Sequence, residues 1–203
     1  MKKVFLILGL ILLLLGCTFY AHRAHTVNYM KEKQDKVENA WVKVLKNSDY
    51  RINLLQQLTY PTSLISKFAD SNNLKMNILD TNNNLDFQEC TLAFNEKEYL
   101  LNKFYLNLLT HLKNDTLLNN SKNQKIFIAL KKNDTLSNAI INEYNAWVLD
   151  YNKYISLFPN FVFAKQKGFR MKKYFDIKYG VQNEDPNIRA TEIPEWMKNI
   201  DTL

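Results

Sequence analysis

The sequence predicts an all-α protein, an up-down bundle of about four long antiparallel helices that follows an N-terminal lipoprotein signal or membrane anchor. The first observation behind this prediction is that the 203 residues include only four Gly and four Pro. Sheets need tight turns, which depend heavily on these two residues, so the composition argues against a many-stranded sheet and a glycine-rich phosphate loop. The second is that apolar residues recur at steps of three and four, the spacing of one helix face.

The N-terminus has the shape of a secretory signal. Two Lys precede an unbroken apolar stretch over residues 4–21, and a basic start with an apolar core is typical of such signals. The run Leu14-Leu15-Gly16-Cys17 resembles a bacterial lipobox, in which the Cys17 thiol becomes lipid-modified and the signal peptide, residues 1–16, is removed. The alternative is an uncleaved anchor, because a helix over 4–21 rises about 27 Å, enough for one span. In both cases we expect membrane lipid to hold the chain.

The first two predicted helices lie on either side of Pro61. An apolar stripe begins at Val27, and Pro61 is a suitable stop for the helix that carries it. Three polar residues, Gln34, Ser48 and Arg51, interrupt this stripe, so the helix is not an ideal coiled-coil strand. A second helix is predicted from Thr62 or Ser63, without a clear end, since the Asn-rich stretch that follows has little periodicity.

The third and fourth helices are predicted in the second half of the chain. The third covers residues 96–113, and the fourth runs from Gln124 to Pro159 with a break or bend at Asn133-Asp134. Asp134 would be an N-cap at that break. We assign residues 22–180 to the bundle and 181–203 to a loosely ordered tail, because polar residues and two Pro dominate the end of the chain.

Two blocks of the sequence resemble the LemA family. The first is Val37-Glu38-Asn39-Ala40-Trp41 with Arg51, and the second runs from Tyr144-Asn145 through Asp150-Tyr151-Asn152 and Phe158-Pro159 to Gly168-Phe169. The resemblance covers residues 27–68 and 123–176 and fails between them, as in a divergent member. It implies a membrane-anchored helical bundle with no established catalytic chemistry.

The family-motif residues are predicted to serve packing. Tyr144, Tyr151 and Phe158 are seven residues apart, so we expect them on one helix stripe, with Asn145 and Asn152 beside them. Buried Asn often fixes helix register, so we expect these amides to bind the first helix, with Asn39 as a partner. The alternative is a binding groove of aromatic and amide groups. The full set is Asn39, Trp41, Tyr144, Asn145, Tyr151, Asn152, Phe158, Pro159, Gly168 and Phe169.

One segment, residues 161–179, holds six basic residues and a single acidic one, with aromatic residues between them. Basic groups attract anionic lipid headgroups, and aromatic side chains favour the membrane interface. We therefore predict contact with the membrane or with a partner close to it. The alternative is that the aromatic side chains close the end of the bundle while the basic ones are only solvated. The predicted contact residues are Lys165, Lys167, Phe169, Arg170, Lys172, Lys173 and Tyr174.

No pattern of catalytic or metal-binding residues has informative spacing. The sequence lacks His-Glu-x-x-His, Gly-x-Ser-x-Gly and a Walker loop, and His22-x-x-His25 provides two ligands where a zinc site needs three or four. We therefore expect no catalytic residue, no metal and no cofactor. An enzyme with an unrecognised site in the bundle is the alternative from a different class.

The sequence thus predicts a non-enzymatic, membrane-tethered protein of the bacterial cell envelope, with its soluble domain on the outer, periplasmic or extracellular, side. It would act through protein–protein or protein–membrane contact. The alternative is an adaptor subunit of a larger envelope complex or a homo-oligomer, with the Asn-rich middle of the chain exposed as its contact surface. An exported protein meets little nucleic acid, so we expect none as a partner.

Overall fold

The computed structural model of the protein describes residues 2–58, 92–112, 121–186 and 188. Within these ranges the chain forms four helices and no strand: α1 (Lys2–Gln56), α2 (Leu92–Leu112), α3 (Ser121–Ser156) and α4 (Asn160–Lys167). The all-α prediction is confirmed. The predicted second helix after Pro61, and most of the predicted tail over 181–203, lie outside the described residues.

The apolar N-terminal stretch and the first predicted helix form one helix. α1 runs without interruption through 55 residues, because neither Pro nor Gly lies between the apolar stretch over 4–21 and the amphipathic part that begins at Val27. It ends at Gln56, earlier than the predicted stop at Pro61. The turn after α1 is closed by a hydrogen bond between residues three positions apart, in which the Leu58 N–H donates to the Leu55 carbonyl at 3.3 Å.

α3 is also continuous, and the predicted break at Asn133-Asp134 is wrong. Asn and Asp disfavour helix interiors because their side chains compete for the nearby backbone. In this chain both side chains bind residues of α1 instead, Asn133 to Asn47 and Asp134 to Arg51. Asp134 is therefore an ion-pair partner inside a helix, and the prediction that it is an N-cap is corrected.

The basic segment predicted over residues 161–179 is a short helix followed by extended chain. α4 ends at Gly168, whose φ of 76° is left-handed and suits a residue without Cβ. The Phe169 N–H donates to the Ala164 carbonyl at 3.0 Å and closes α4, and the chain from Arg170 to Lys178 belongs to no helix or strand.

The molecule divides into two compact units. Unit 1 comprises residues 1–37 and 147–172, and unit 2 comprises residues 38–146 and 173–203. In unit 1, α1 and α3 run antiparallel, since Tyr29 packs against Tyr154 and Lys33 pairs with Asp150.

In unit 2, α1 and α2 run in the same direction and α3 runs opposite to both. Along α1, Trp41 packs on Phe94 of α2 while the later Arg51 lies over Tyr105. The core of this unit is formed by apolar side chains of all three helices. Its most deeply buried members are Ile52, Leu55, Leu101, Tyr105, Leu108 and Leu130.

Candidate functional site

Three asparagines on α3 hold the extended segment that follows α4. They are seven residues apart, so their side chains lie on one stripe of the helix. Each amide binds both the N–H and the C=O of one residue in the segment, at 2.8–3.1 Å. These amides take the place of a neighbouring strand and satisfy backbone groups that would otherwise be unpaired. The pairs are Asn152 with Lys172 in unit 1, and Asn145 with Phe175 and Asn138 with Tyr179 in unit 2.

The segment in unit 2 binds in the manner of a strand, although the described residues of this unit form no strand. Phe175, Ile177 and Tyr179 are buried, while the residues between them are exposed, which is the alternation of extended chain. The Tyr144 hydroxyl donates to the Lys173 carbonyl at 2.8 Å and adds a further contact.

The predicted partner of the two family-motif asparagines is therefore wrong. Asn145 and Asn152 bind the backbone of the extended segment, and Asn39 lies exposed on α1. The physical reason is that an extended segment without a neighbouring strand has more unpaired backbone groups than a helix has. Asn138, which has the same role, was missed by the sequence analysis.

Trp41 and two of the motif tyrosines lie in the core, as predicted for them. Trp41 packs against the rings of Phe94, Tyr144 and Phe175 in unit 2. Tyr151 is buried in unit 1.

A buried ionic cluster lies in unit 2, centred on Arg51. The Arg51 side chain is 0% exposed, and its Nη1 donates to Asp134 Oδ1 at 2.5 Å and to Asn133 Oδ1 at 3.3 Å. The guanidinium carbon lies 4.8 Å from the centre of the Tyr105 ring and 4.7 Å from that of Tyr179. A buried cation is tolerable because a carboxylate and two aromatic faces surround it.

A second carboxylate, Glu98 of α2, belongs to the same cluster and is also 0% exposed. Its oxygens accept hydrogen bonds from the hydroxyls of Ser48 and Tyr179. Burial raises the pKa of Tyr105 to about 12, and the charge of Asp134 adds to this effect. Burial, reinforced by Glu98, also raises the pKa of Tyr179 well above its ordinary value. Both phenols are therefore neutral at physiological pH and act as hydrogen-bond donors.

This cluster joins the helices of unit 2, and its charged groups are buried. Directly after Tyr179 the chain also passes close to Asp134 at Gly180, where an added Cβ would lie 3.1 Å from Asp134 Oδ2. Gly180 has a φ of 79°, so both the backbone and the space around it require glycine. Four residues of the cluster, Ser48, Arg51, Asn133 and Asp134, were singled out from the sequence, none of them in this role.

The second notable surface lies in unit 1 around α4, and we call it the α4 surface. It consists of Leu157, Phe158, Phe161, Lys165, Lys167 and Arg170, all exposed. On the opposite side of α4, the buried Phe163 packs on Phe19 of α1, with ring centres 5.9 Å apart, and on His22 at 6.4 Å. α4 is thereby held beside the end of the apolar stretch 4–21.

Not all residues of the predicted contact segment belong to this surface. Lys172 is half-buried and its backbone is bound by Asn152. Lys173 and Tyr174 are exposed but belong to unit 2, and Phe169 is half-buried. The structure reduces the predicted basic group in unit 1 to three freely exposed side chains.

Phe158 was predicted to continue the buried stripe of Tyr144 and Tyr151, and this prediction is wrong. α3 ends at Ser156, before Pro159 as predicted, so the seven-residue spacing no longer places Phe158 on the helix. Its side chain is 81% exposed. Pro159 instead takes the N-cap position of α4.

Cys17, the predicted lipidation residue, lies on α1 together with His22 and His25. Cys17 is exposed and its thiol is free. His25 stacks on Tyr29, and no group of three His, Cys, Asp or Glu in the described ranges could hold a metal. By length and composition α1 contains a stretch that could cross a membrane, a test that a signal sequence also passes.

Comparison with known proteins gives one match. The family model described as LemA family matches residues 40–189, which is more than half of the chain. No curated protein and no solved structure matches. The match includes the buried ionic cluster, the three asparagines and the α4 surface.

Proposed function

We propose a function for this chain, which belongs to the LemA family. It is a membrane-tethered helical protein of the bacterial envelope that acts by protein or membrane contact. The family is membrane-associated and the chain has the long apolar N-terminal helix. In our proposal α1 holds the protein in the membrane, and the folded part lies on the outer, periplasmic or extracellular, side.

One observation carries the proposed tether. The large apolar residues between Leu6 and Leu15 are exposed along α1, at 48–71% each. A run of this size is unfavourable in water, since contiguous exposed apolar surface marks a membrane or protein contact. Because the same helix continues into the packed core, the anchor and the folded part share one element.

The buried ionic cluster supports a role without catalysis. Its two carboxylates, on Glu98 and Asp134, converge as they would in an active site, yet both have hydrogen-bond partners within the protein. Glu98 and Arg51 are fully buried and their neighbours are aromatic rings. Under the alternative of an enzyme, a substrate would have to displace these partners to reach either carboxylate.

The tether is tested by labelling cells with a fatty-acid probe, with and without the Cys17→Ala variant. A lipoprotein incorporates the probe only when Cys17 is present. An uncleaved anchor stays unlabelled and remains in the membrane after alkaline extraction. In both cases we expect protease added to the outside of spheroplasts to digest the folded part. A chain recovered in the soluble fraction, or one protected from external protease, would overturn the proposal.

The partner is sought by crosslinking in the native membrane followed by mass spectrometry. Crosslinks between two copies of the chain would support the homo-oligomer alternative, and recurrent crosslinks to one envelope protein would support the adaptor alternative. The Asn-rich stretch that the sequence suggests as a contact surface lies outside the described residues.

A further inference from the structure

We propose that the α4 surface binds the anionic lipid surface of the membrane that holds α1. Phe158 and Phe161 would enter the interfacial region, and Lys165, Lys167 and Arg170 would bind anionic headgroups. This inference rests on the proposed tether and adds to it a second, lipid-selective contact.

The position of α4 along α1 is the first step of the argument. Phe163 packs on Phe19 and His22, which straddle the end of the apolar stretch 4–21. If that stretch occupies the hydrocarbon core, residues at its end lie at the level of the headgroups. α4 packs against the same residues within unit 1, so it lies at that level as well. A lipid attached to Cys17, only two residues before Phe19, would place α4 at the same level.

The exposure of apolar side chains is the second step. Leu157 and Phe158, in the turn before α4, are 52% and 81% exposed, and Phe161, in its first turn, is 48% exposed. The rings of Phe158 and Phe161 contact each other, with centres 6.2 Å apart. Two adjacent exposed aromatic rings are poorly placed in water and well placed at a membrane interface.

Charge is the third step, and it selects the kind of lipid. The sequence contains no Asp or Glu between Asp150 and Asp176, so the three exposed basic side chains meet no acidic neighbour on this stretch. Each basic residue near an anionic membrane strengthens binding roughly fivefold, so three of them amount to a factor on the order of a hundred. We therefore expect preference for anionic over zwitterionic lipid.

The test uses the full chain in lipid vesicles, with Cys17→Ala and Cys90→Ser so that a single label can be attached at Phe158→Cys. A spin label there reports whether it meets oxygen in lipid or a nickel complex in water. We expect it to be immersed in vesicles that contain about one third phosphatidylglycerol and water-exposed in pure phosphatidylcholine. A label at Leu136→Cys, an exposed position of α3 in unit 2, should stay in water in both.

The charge requirement is tested by combining Lys165→Gln, Lys167→Gln and Arg170→Gln. The ratio of immersed to water-exposed label in anionic vesicles should fall by a factor on the order of a hundred. The matched control makes the same change of charge at exposed positions of α3 in unit 2: Lys125→Gln, Lys131→Gln and Lys132→Gln. It should leave the ratio within about twofold.

Four outcomes would overturn the inference. A label at position 158 that is equally water-exposed, or equally immersed, in both kinds of vesicle removes the lipid selectivity. An equal loss in the control triple variant means only general attraction. A label that is in water on anionic vesicles but covered in native membranes indicates a protein partner. Failure of the full chain with Cys17 unchanged to float with vesicles contradicts the tether itself, and this outcome is separate from failure of the α4 surface alone.

Discussion

Replacing Asn145 with Ala removes both hydrogen bonds between α3 and the backbone of Phe175. In the protein the Phe175 N–H donates to Asn145 Oδ1 at 2.9 Å, and Asn145 Nδ2 donates to the Phe175 carbonyl at 2.8 Å. The Phe175 side chain is fully buried, so its backbone cannot turn to water without leaving the core.

The expected destabilisation follows from these contacts. Two hydrogen bonds contribute about 1 kcal/mol each, and a buried backbone group left unpaired costs a further 1–3 kcal/mol or so. Ala is a better helix former than Asn by about 0.6 kcal/mol, which offsets part of the loss. We expect Asn145→Ala to lower the free energy of unfolding by about 2–4 kcal/mol. Asn142→Ala is the matched control, since this residue is exposed three positions earlier on the same helix.

The assay combines urea unfolding in detergent with amide hydrogen exchange. The Phe175 amide belongs to no helix or strand, so its protection depends on Asn145. Exchange at Phe175 should accelerate by roughly thirtyfold in Asn145→Ala, which corresponds to about 2 kcal/mol, and should not change in Asn142→Ala. Two results would refute the reasoning: rapid exchange of this amide in the unmodified protein, or equal destabilisation by the two variants.

Three further predictions concern the buried cluster and the two left-handed glycines. Arg51→Met leaves Asp134 buried without its cation and should lower the free energy of unfolding in urea by about 3–5 kcal/mol. Adding Asp134→Leu should recover much of this loss, and no recovery would contradict the ion-pair account. The pKa of Tyr105 is raised from 10.0 to about 12, so the stability added by its neutral form is complete below pH 10 and is lost as the pH rises towards 12. Tyr105→Phe should flatten that part of the pH–stability curve, and an unchanged slope would contradict the raised pKa. A left-handed backbone costs about 1–2 kcal/mol in both Gly180→Ala and Gly168→Ala, but only at Gly180 would the added Cβ lie 3.1 Å from a neighbouring atom. The melting temperature should therefore fall further for Gly180→Ala, and equal shifts would refute the close contact.

The helices could be predicted from the sequence because their signals are local. The scarcity of Gly and Pro and the apolar spacing are properties of neighbouring residues, and they predicted α3 to within a few residues at each end. The break expected at Asn133-Asp134 was wrong because propensity counts only a residue's own backbone. These two side chains bind residues more than eighty positions away, and tertiary contacts of this kind override a weak local preference.

The extended segment and its three asparagines could not be predicted in the same way. An Asn that binds a backbone group has a partner of no particular residue type, so the sequence around Phe175 contains no signal of the pairing. The abundance of Asn in this chain also concealed Asn138, although it continues the seven-residue spacing of Asn145 and Asn152. That spacing, combined with the alternation of buried residues from Phe175 to Tyr179, is the signal that could have found it.

The exposed α4 surface shows a different limit of predicting burial from the sequence. A seven-residue spacing predicted Phe158 to be buried, and the prediction failed because α3 ends two residues before it. Periodicity indicates which residues share a face only while the helix lasts, and helix ends are the least certain part of a sequence prediction. The basic residues nearby were found because charge, unlike burial, can be read without knowing where the helix ends.

Two of the polar residues that interrupt the apolar stripe of α1, Ser48 and Arg51, pair with polar residues of the other helices of unit 2, and we expect these pairs to fix how the helices align. An apolar face alone can shift by one helical turn, about 5.4 Å, against its neighbour and still bury apolar surface. A shift here would leave buried polar groups unpaired at about 1–3 kcal/mol each. We therefore expect a variant with apolar residues in place of Arg51, Glu98 and Asp134 to stay helical and compact. Its helices should no longer hold one unique alignment, which would be seen as broadened amide resonances. Sharp resonances and unchanged exchange protection would show that apolar packing determines the register without them. The pairs are Asn47 with Asn133 and Ser137, Ser48 with Glu98, and Arg51 with Asp134.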